Sequence, residues 1–113
     1  MTQCDLTSKR CVPCEGGVPK LTASEIEAFS RQVSGWVARD EKLHKTFTFK
    51  DFLQAMAFVN AMAEVAEAEG HPPDFTLYQW NRVDVVIWTH AIGGLSENDF
   101  ILAAKIDELP VAH

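Results

Sequence analysis

The sequence predicts an α+β fold with a four-stranded antiparallel sheet and helices packed mainly on one face. Three segments carry apolar residues at helical spacing, and paired short runs rich in β-branched or alternating residues lie between them. Helices interleaved with hairpins give this class. The chain has 113 residues, of which 47% are hydrophobic and 23% charged, as expected for one ordinary globular domain.

We expect residues 1–20 to form an N-terminal tail and residues 21–113 the domain, because two glycines and two prolines interrupt the polar lead. Cys4, Cys11 and Cys14 lie in this tail, and an odd number there makes no disulfide framework for a core. Cys11 and Cys14 have the spacing of half a zinc site or a redox pair. We expect plain reduced thiols, with a metal site completed by His or Asp and a reversible disulfide as alternatives.

The first helix and the first hairpin follow. Thr22 to Glu25 has the pattern of a capping box, and apolar residues at three- and four-residue spacing extend a helix to about Val33. Residues 36–39 and 42–49 then predict two strands of a hairpin. Lys45 shares parity with the apolar residues of its strand, so we expect it to be exposed or at an edge, whereas His44 has the opposite parity and faces solvent.

The longest helix is predicted from Asp51 to about Glu69, with Gly70 as its left-handed cap and proline directly after. Its expected apolar stripe consists of Phe52, Ala55, Met56, Val59, Met62, Ala63 and Ala66.

The remaining elements are two strands and a last helix. An extended piece over 74–77 precedes residues 82–90, whose β-branched and aromatic residues predict a central strand, covered on both faces by helices or a second subunit. Ser96 to Asp99 has the pattern of an N-cap, and the helix that follows ends near Asp107 and Glu108.

Charge and hydropathy exclude several functional classes. The net charge is −6 and the pI is about 5.1, so the chain is a poor candidate for direct binding to nucleic acid or to an anionic membrane. No segment approaches the roughly 18 apolar residues of a membrane span. The first residues lack the features of a signal peptide, and we therefore expect a cytoplasmic location, with a transit peptide upstream left open.

A cluster of titratable and aromatic residues predicts the functional site. Glu67 precedes His71 by one helical turn, so its carboxylate can approach that imidazole. Trp80 and His90 are ten residues apart and would share one face of a regular strand, and Asp99 lies soon after. Imidazole suits general acid–base catalysis, and an indole can cover a planar heterocycle. Loop, strand-end and core roles for these residues are the alternative.

The run Glu67-Ala68-Glu69-Gly70-His71-Pro72-Pro73, followed by Trp80, Thr89-His90 and Gly94 to Phe100, resembles the signature of the pterin-4a-carbinolamine dehydratase family. The spacings from Glu67 to His71, from Pro73 to Trp80 and from Trp80 to His90 agree with that signature, and the similarity extends over about 21–107. One residue departs from it. Pro72 stands where most of the family has a second histidine, and proline can neither transfer a proton nor donate from its backbone.

The resemblance implies a hydro-lyase that removes water from a 4a-hydroxytetrahydropterin, with His71, His90 and Glu67 as catalytic residues and Trp80, Asp99, Pro72 and Pro73 around the substrate. In this interpretation Glu67 orients His71, and Asp99 holds the pterin or His90. It implies no metal and no cofactor, a homodimer or homotetramer, and a functional link to aromatic amino acid hydroxylases. The alternative is a catalytically weakened pterin-binding protein, or a dimerisation and transcription-cofactor module.

Overall fold

The computed structural model describes residues 20–111, so Cys4, Cys11 and Cys14 lie outside the described residues. The predicted order of elements and the α+β class are confirmed. The elements are α1 (Ala23–Ser30), β1 (Val37–Arg39), β2 (Lys42–Thr48), α2 (Phe52–Glu69), β3 (Asp74–Tyr78), β4 (Arg82–Ile87) and α3 (Glu97–Asp107), with a 3-10 turn at His90–Ile92. Within residues 20–111, no helix is long and apolar enough to cross a bilayer.

Local sequence signals account for the ends of the helices. At α1, the Thr22 hydroxyl accepts from the Glu25 amide and the Glu25 carboxylate accepts from the Thr22 amide, as the capping-box pattern predicts. At α2, an Asp51 carboxylate oxygen accepts from the Gln54 amide at 2.8 Å. Helix α1 ends at Ser30, somewhat earlier than the predicted end at Val33.

The sheet is antiparallel throughout, with the strand order β1-β2-β4-β3. The prediction that β4 is a central strand is therefore confirmed. Both hairpins turn through two residues with positive φ, Asp40 and Glu41 in the first and Gln79 and Trp80 in the second. Two consecutive left-handed residues match the right-handed twist of the flanking strands and keep the loops short.

The core lies between one face of the sheet and the helices. Val83, Val85 and Ile87 of β4 are fully buried on that face. Helix α3 is also almost wholly buried, and it packs on α2 and α1. On the opposite face, Val86 and Trp88 are half-buried. The expectation that helices or a second subunit cover both faces is therefore not met by the helices of this chain.

The buried side of α2 differs from the predicted stripe. Phe58, which the stripe left out, is fully buried, whereas Phe52 and Met56 are 51% and 37% exposed. Ala63 is exposed as well. Most side chains of α2 are apolar, so the periodicity does not select one face. The facing aromatic rings of the sheet select the buried side of α2, because the ring centroid of Phe58 lies 4.6 Å from that of Phe47.

Lys45 corrects another expectation. It is neither exposed nor at an edge, because β2 is an interior strand and the Lys45 side chain is only 17% exposed. Its ammonium donates to Asp107 Oδ1 at 2.8 Å and to the Ser34 carbonyl at 3.1 Å. The Trp36 indole donates to the same carboxylate at 3.0–3.1 Å. His44, by contrast, lies half-buried on the face opposite the core, in keeping with its predicted parity.

Candidate functional site

The loop that carries His71 is fixed by the way α2 ends. Gly70 adopts the left-handed conformation (φ 65°), and its amide donates to the Glu67 carbonyl at 3.1 Å. The His71 amide donates to the Ala66 carbonyl at 3.1 Å. These two bonds form a Schellman motif, which satisfies the last carbonyls of the helix. The backbone of His71 is therefore held by hydrogen bonds of its own helix.

Asp99 is held by the first turn of α3. It is the third residue of that helix and fully buried, and its Oδ2 accepts from the Ser96 amide at 2.8 Å. The Ser96 hydroxyl in turn accepts from the Asp99 amide, which completes a capping box. The amides at a helix N-terminus stabilise a negative charge, so a buried carboxylate is well placed there.

His71 and Asp99 form the centre of the candidate site. His71 Nε2 lies 2.7 Å from Asp99 Oδ1, and the His71 side chain is only 14% exposed. Asp99 Oδ2 also accepts from the Thr89 hydroxyl at 2.9 Å, and Thr89 Oγ1 lies 2.9 Å from Ser96 Oγ. The loop after α2, the segment that follows β4 and the start of α3 therefore meet at one buried carboxylate.

Glu67 does not make the contact that its spacing predicts. Although one helical turn separates it from His71, Glu67 is exposed, and its carboxylate makes no hydrogen bond with His71 or any other residue of 20–111. The carboxylate that contacts the His71 ring is that of Asp99, and an orienting role of Glu67 stays a prediction without such a contact. Likewise, Asp99 contacts His71 and makes no hydrogen bond to His90.

Glu67 instead lines an open cleft beside the His71 loop. The cleft has a volume of about 130 Å³. Its walls are apolar apart from Glu67, and both prolines of the predicted site belong to them. The lining residues are Val59, Met62, Ala63, Ala66, Glu67, Pro72, Pro73 and Phe75. An apolar cleft with one carboxylate suits a flat organic ligand that carries N–H donors.

His90 lies beside the Asp99 network, one residue after Thr89. Its exposed ring stacks on Trp88, with the ring centroids 3.9 Å apart and the planes at 25°. The Trp88 indole lies 3.4 Å from Asp74 Oδ2, and the Lys42 ammonium lies 4.7 Å from its centroid. Trp88 was not predicted as a site residue, although its two-residue spacing from His90 is a signal for a shared face.

Trp80 and His90 are not on one strand, so the geometric reason for pairing them is wrong. Trp80 lies in the β3–β4 turn with φ 57°, and its side chain is 64% exposed. His90 starts the 3-10 turn, and β4 itself ends at Ile87. A bulky residue with positive φ is rare, because the side chain crowds its own backbone.

Thr89 and Ser96 are the functional candidates that the sequence did not single out. Both belong to the segment that carries the family resemblance, and Ser96 with Asp99 has the spacing of a capping box. Neither signal indicates contact with a histidine 28 positions upstream of Asp99. Within residues 20–111, no group of His, Cys, Asp and Glu side chains has the arrangement of a metal site. The imidazoles and carboxylates are suited to moving protons.

Together, the fold and this site define a small α+β protein in which a carboxylate-bound histidine directly precedes two prolines that line an apolar cleft. The model of the family "Pterin 4 alpha carbinolamine dehydratase" matches residues 19–109. The chain therefore belongs to the pterin-4a-carbinolamine dehydratase family, as the sequence resemblance predicted.

Individual relatives agree with this assignment. A protein of Nitrosomonas europaea, provisionally named a pterin-4-alpha-carbinolamine dehydratase, is 55% identical over 108 residues, covering 94% of each chain. A protein of Arabidopsis thaliana, named pterin-4-alpha-carbinolamine dehydratase 2, mitochondrial, is 47% identical over 95% of this chain and 60% of its own. A crystal structure described as a transcriptional coactivator/pterin dehydratase from Brucella melitensis has a TM-score of 0.74 and 36% identity, covering 79% of this chain and 96% of that one.

Proposed function

We propose that this protein is a 4a-hydroxytetrahydropterin dehydratase, which converts its substrate to quinonoid dihydropterin and water in pterin recycling. The observation that carries the proposal is the 2.7 Å contact between His71 Nε2 and the buried Asp99 carboxylate, next to an apolar cleft. In the reaction the C4a–O bond breaks, a ring N–H gives up its proton and a C=N bond forms. The hydroxide accepts one proton and departs as water.

His71 is the general acid in this scheme. The Asp99 carboxylate lies beside its ring and stabilises the positive charge of a protonated imidazole. The ring is only partly exposed, so it delivers its proton to a bound hydroxyl group rather than to bulk water. His90 accepts the proton of the ring nitrogen. General acid–base catalysis of this kind contributes typically about 10²–10⁴-fold in rate.

The cleft residues hold the pterin. Its flat ring contacts the apolar walls, which include Pro72 and Pro73, and the exposed Glu67 carboxylate accepts from its N–H groups. Trp80 lies in the β3–β4 turn, at the end of that hairpin opposite to the cleft and His90, so it has no role in this arrangement. In this arrangement Glu67 acts on the substrate directly and not through His71.

The setting of the protein is part of the same proposal. We expect a cytoplasmic homodimer or homotetramer, linked functionally to aromatic amino acid hydroxylases, with no direct contact to nucleic acid or membrane. Exposed apolar side chains on α2, such as Leu53 at 77% and Phe52 at 51%, suit a protein partner. The division into a tail over 1–20 and a domain over 21–113 stays a prediction.

A second candidate is a pterin-binding protein with weakened catalysis, or a dimerisation and transcription-cofactor module. Pro72 favours it, because this position offers no imidazole for proton transfer. The Brucella melitensis structure is also described as that of a transcriptional coactivator/pterin dehydratase. Pterin binding without turnover distinguishes this candidate from the dehydratase.

The test is a dehydration assay with 4a-hydroxytetrahydrobiopterin generated in situ. We expect His71→Ala and His90→Ala each to lose about 10²–10⁴-fold in turnover. His44→Ala is the matched control, because His44 lies on the open face of the sheet and, among residues 20–111, its Nε2 forms a hydrogen bond only with the Arg39 carbonyl, at 3.2 Å. Pro72→His tests whether the proline lowers turnover, and we expect this variant to raise kcat.

Turnover by the natural chain that survives both His71→Ala and His90→Ala would contradict the assigned roles. A natural chain that binds pterin without turnover, together with an active Pro72→His variant, would support the second candidate. Neither binding nor turnover in any variant would exclude a pterin function and favour a protein partner.

A further inference from the structure

We propose that Thr89 is a positioning residue, whose hydroxyl acts through Asp99 to hold His71 in the tautomer that leaves Nδ1 for proton transfer. The expected effect of Thr89 on turnover rests on the proposed function. Its structural part, the tautomer of His71, can be measured separately.

The hydrogen-bond directions around Asp99 can be assigned from the donor groups. Asp99 Oδ2 accepts from the Ser96 amide and from the Thr89 hydroxyl. Thr89 has a single hydroxyl proton, so its second contact, to Ser96 Oγ at 2.9 Å, must have Ser96 as the donor. Ser96 Oγ also accepts from the Asp99 amide. Each hydroxyl thus donates once and accepts once.

These hydrogen bonds restrict the rotation of the Asp99 carboxylate. With Oδ2 held by two donors, Oδ1 points to His71 Nε2 at 2.7 Å. An ionised carboxylate only accepts hydrogen bonds, so Nε2 carries the proton of a neutral His71 ring. The other nitrogen, Nδ1, is then the one that takes up a proton and delivers it to the substrate.

Thr89 is held firmly enough to keep the Asp99 carboxylate in one orientation. Its amide donates to the Gly94 carbonyl at 2.9 Å in an isolated antiparallel bridge, and its side chain is buried with a residue exposure of 2%. Water therefore has little access to replace the hydroxyl. A buried acceptor that loses such a donor stays unsatisfied or rotates to find another partner. Rotation of the Asp99 carboxylate would move Oδ1 away from Nε2.

The test compares Thr89→Ser with Thr89→Ala, two variants that differ only in the hydroxyl. Thr46→Ala is the matched control. Thr46 also donates to an aspartate, Asp84 Oδ1 at 2.7 Å, but this pair joins β2 and β4 and does not include Asp99. For each full-length variant, the ¹⁵N chemical shifts of the His71 ring nitrogens are measured at a pH where the ring is neutral. Turnover and KM are measured on the same samples.

We expect the natural chain and Thr89→Ser to show the Nε2–H tautomer, and Thr89→Ala to show a mixture of both tautomers. The kcat of Thr89→Ala should fall about tenfold relative to Thr89→Ser, the factor for one hydrogen bond to a charged group, while KM stays within about twofold. Thr46→Ala should change neither tautomer nor kcat. A purely structural role of Thr89 would lower stability but leave the tautomer of the folded protein unchanged.

The inference is overturned if His71 keeps the Nε2–H tautomer in Thr89→Ala, or if Thr89→Ser loses as much turnover as Thr89→Ala. Should Thr89→Ala not fold, Ser96→Ala removes the donor to Thr89 Oγ1 and is read by the same spectra, with an unchanged tautomer again counting against the inference. If the natural chain has no turnover but the tautomer responds as expected, the proposed function fails and the positioning of His71 by Thr89 stands.

Discussion

Replacing Phe58 by alanine tests whether the core has been assigned to the correct side of α2. Phe58 is fully buried, and its ring centroid lies 4.6 Å from that of Phe47 and 4.9 Å from that of Phe49. Removing a buried phenylalanine costs about 3–5 kcal/mol, since the apolar area and the ring contacts are lost and a cavity remains. Against a total stability of about 5–15 kcal/mol, this is a large share.

The matched control is Phe52→Ala on the same helix. The sequence pattern places Phe52 in the core, whereas the structure leaves it 51% exposed. Its replacement by alanine should therefore change the free energy of unfolding by about 0.5 kcal/mol or less. The two variants remove the same ring from one helix, so the difference between them reports burial alone.

Urea denaturation followed by circular dichroism measures both variants. With a slope of about 1–2 kcal/mol per molar urea, the midpoint of Phe58→Ala should fall by about 2 M or more, and that of Phe52→Ala should hardly move. Repeating the experiment at several protein concentrations separates folding from association through the exposed side of α2. If Phe58→Ala unfolds outright, Phe58→Leu should still cost about 1–2 kcal/mol. Equal losses for Phe52→Ala and Phe58→Ala at low protein concentration would refute the assignment.

Two further predictions concern single contacts. Gly70→Ala should lower stability by about 1 kcal/mol, because φ is 65° there while an added Cβ meets no atom within 4 Å, so that only backbone strain acts. Gly70→Asn should cost less in the same thermal melts, and an equal or larger loss would contradict this reasoning. Asp107→Asn should cost about 1–2 kcal/mol, because the Lys45 ammonium, 17% exposed, loses its charged partner. A double-mutant cycle with Lys45→Met checks it, and zero coupling between the two positions would show that the ion pair contributes nothing.

Local patterns predicted the helices, the hairpins and the order of elements. The capping boxes at Thr22 and Ser96, the N-cap Asp51 and the left-handed Gly70 act within one turn of the chain, so their effect can be read from neighbouring residues. The pattern was insufficient where two faces competed. The alanine-rich helix α2 could bury either side, and only its fit against Phe47 selected the side that carries Phe58.

The candidate site shows the same division. The sequence identified His71, His90 and Asp99 as residues able to move protons, but it paired His71 with the nearby Glu67. In the structure the partner is Asp99, 28 positions away. Nearness along the helix brings two side chains within reach, yet it does not decide which carboxylate is buried and aimed at the imidazole.

Local interactions such as capping and periodicity account for the ends of the elements, so these ends and the residue types that carry the chemistry can be predicted from the chain alone. The tertiary structure decided which groups meet. Hydrogen bonds between the segment after β4 and the first turn of α3 place Ser96, Thr89 and Asp99 in one buried network, and the Schellman turn after α2 brings His71 to it. Contacts between distant segments depend on how all elements pack at once, and no short pattern records that.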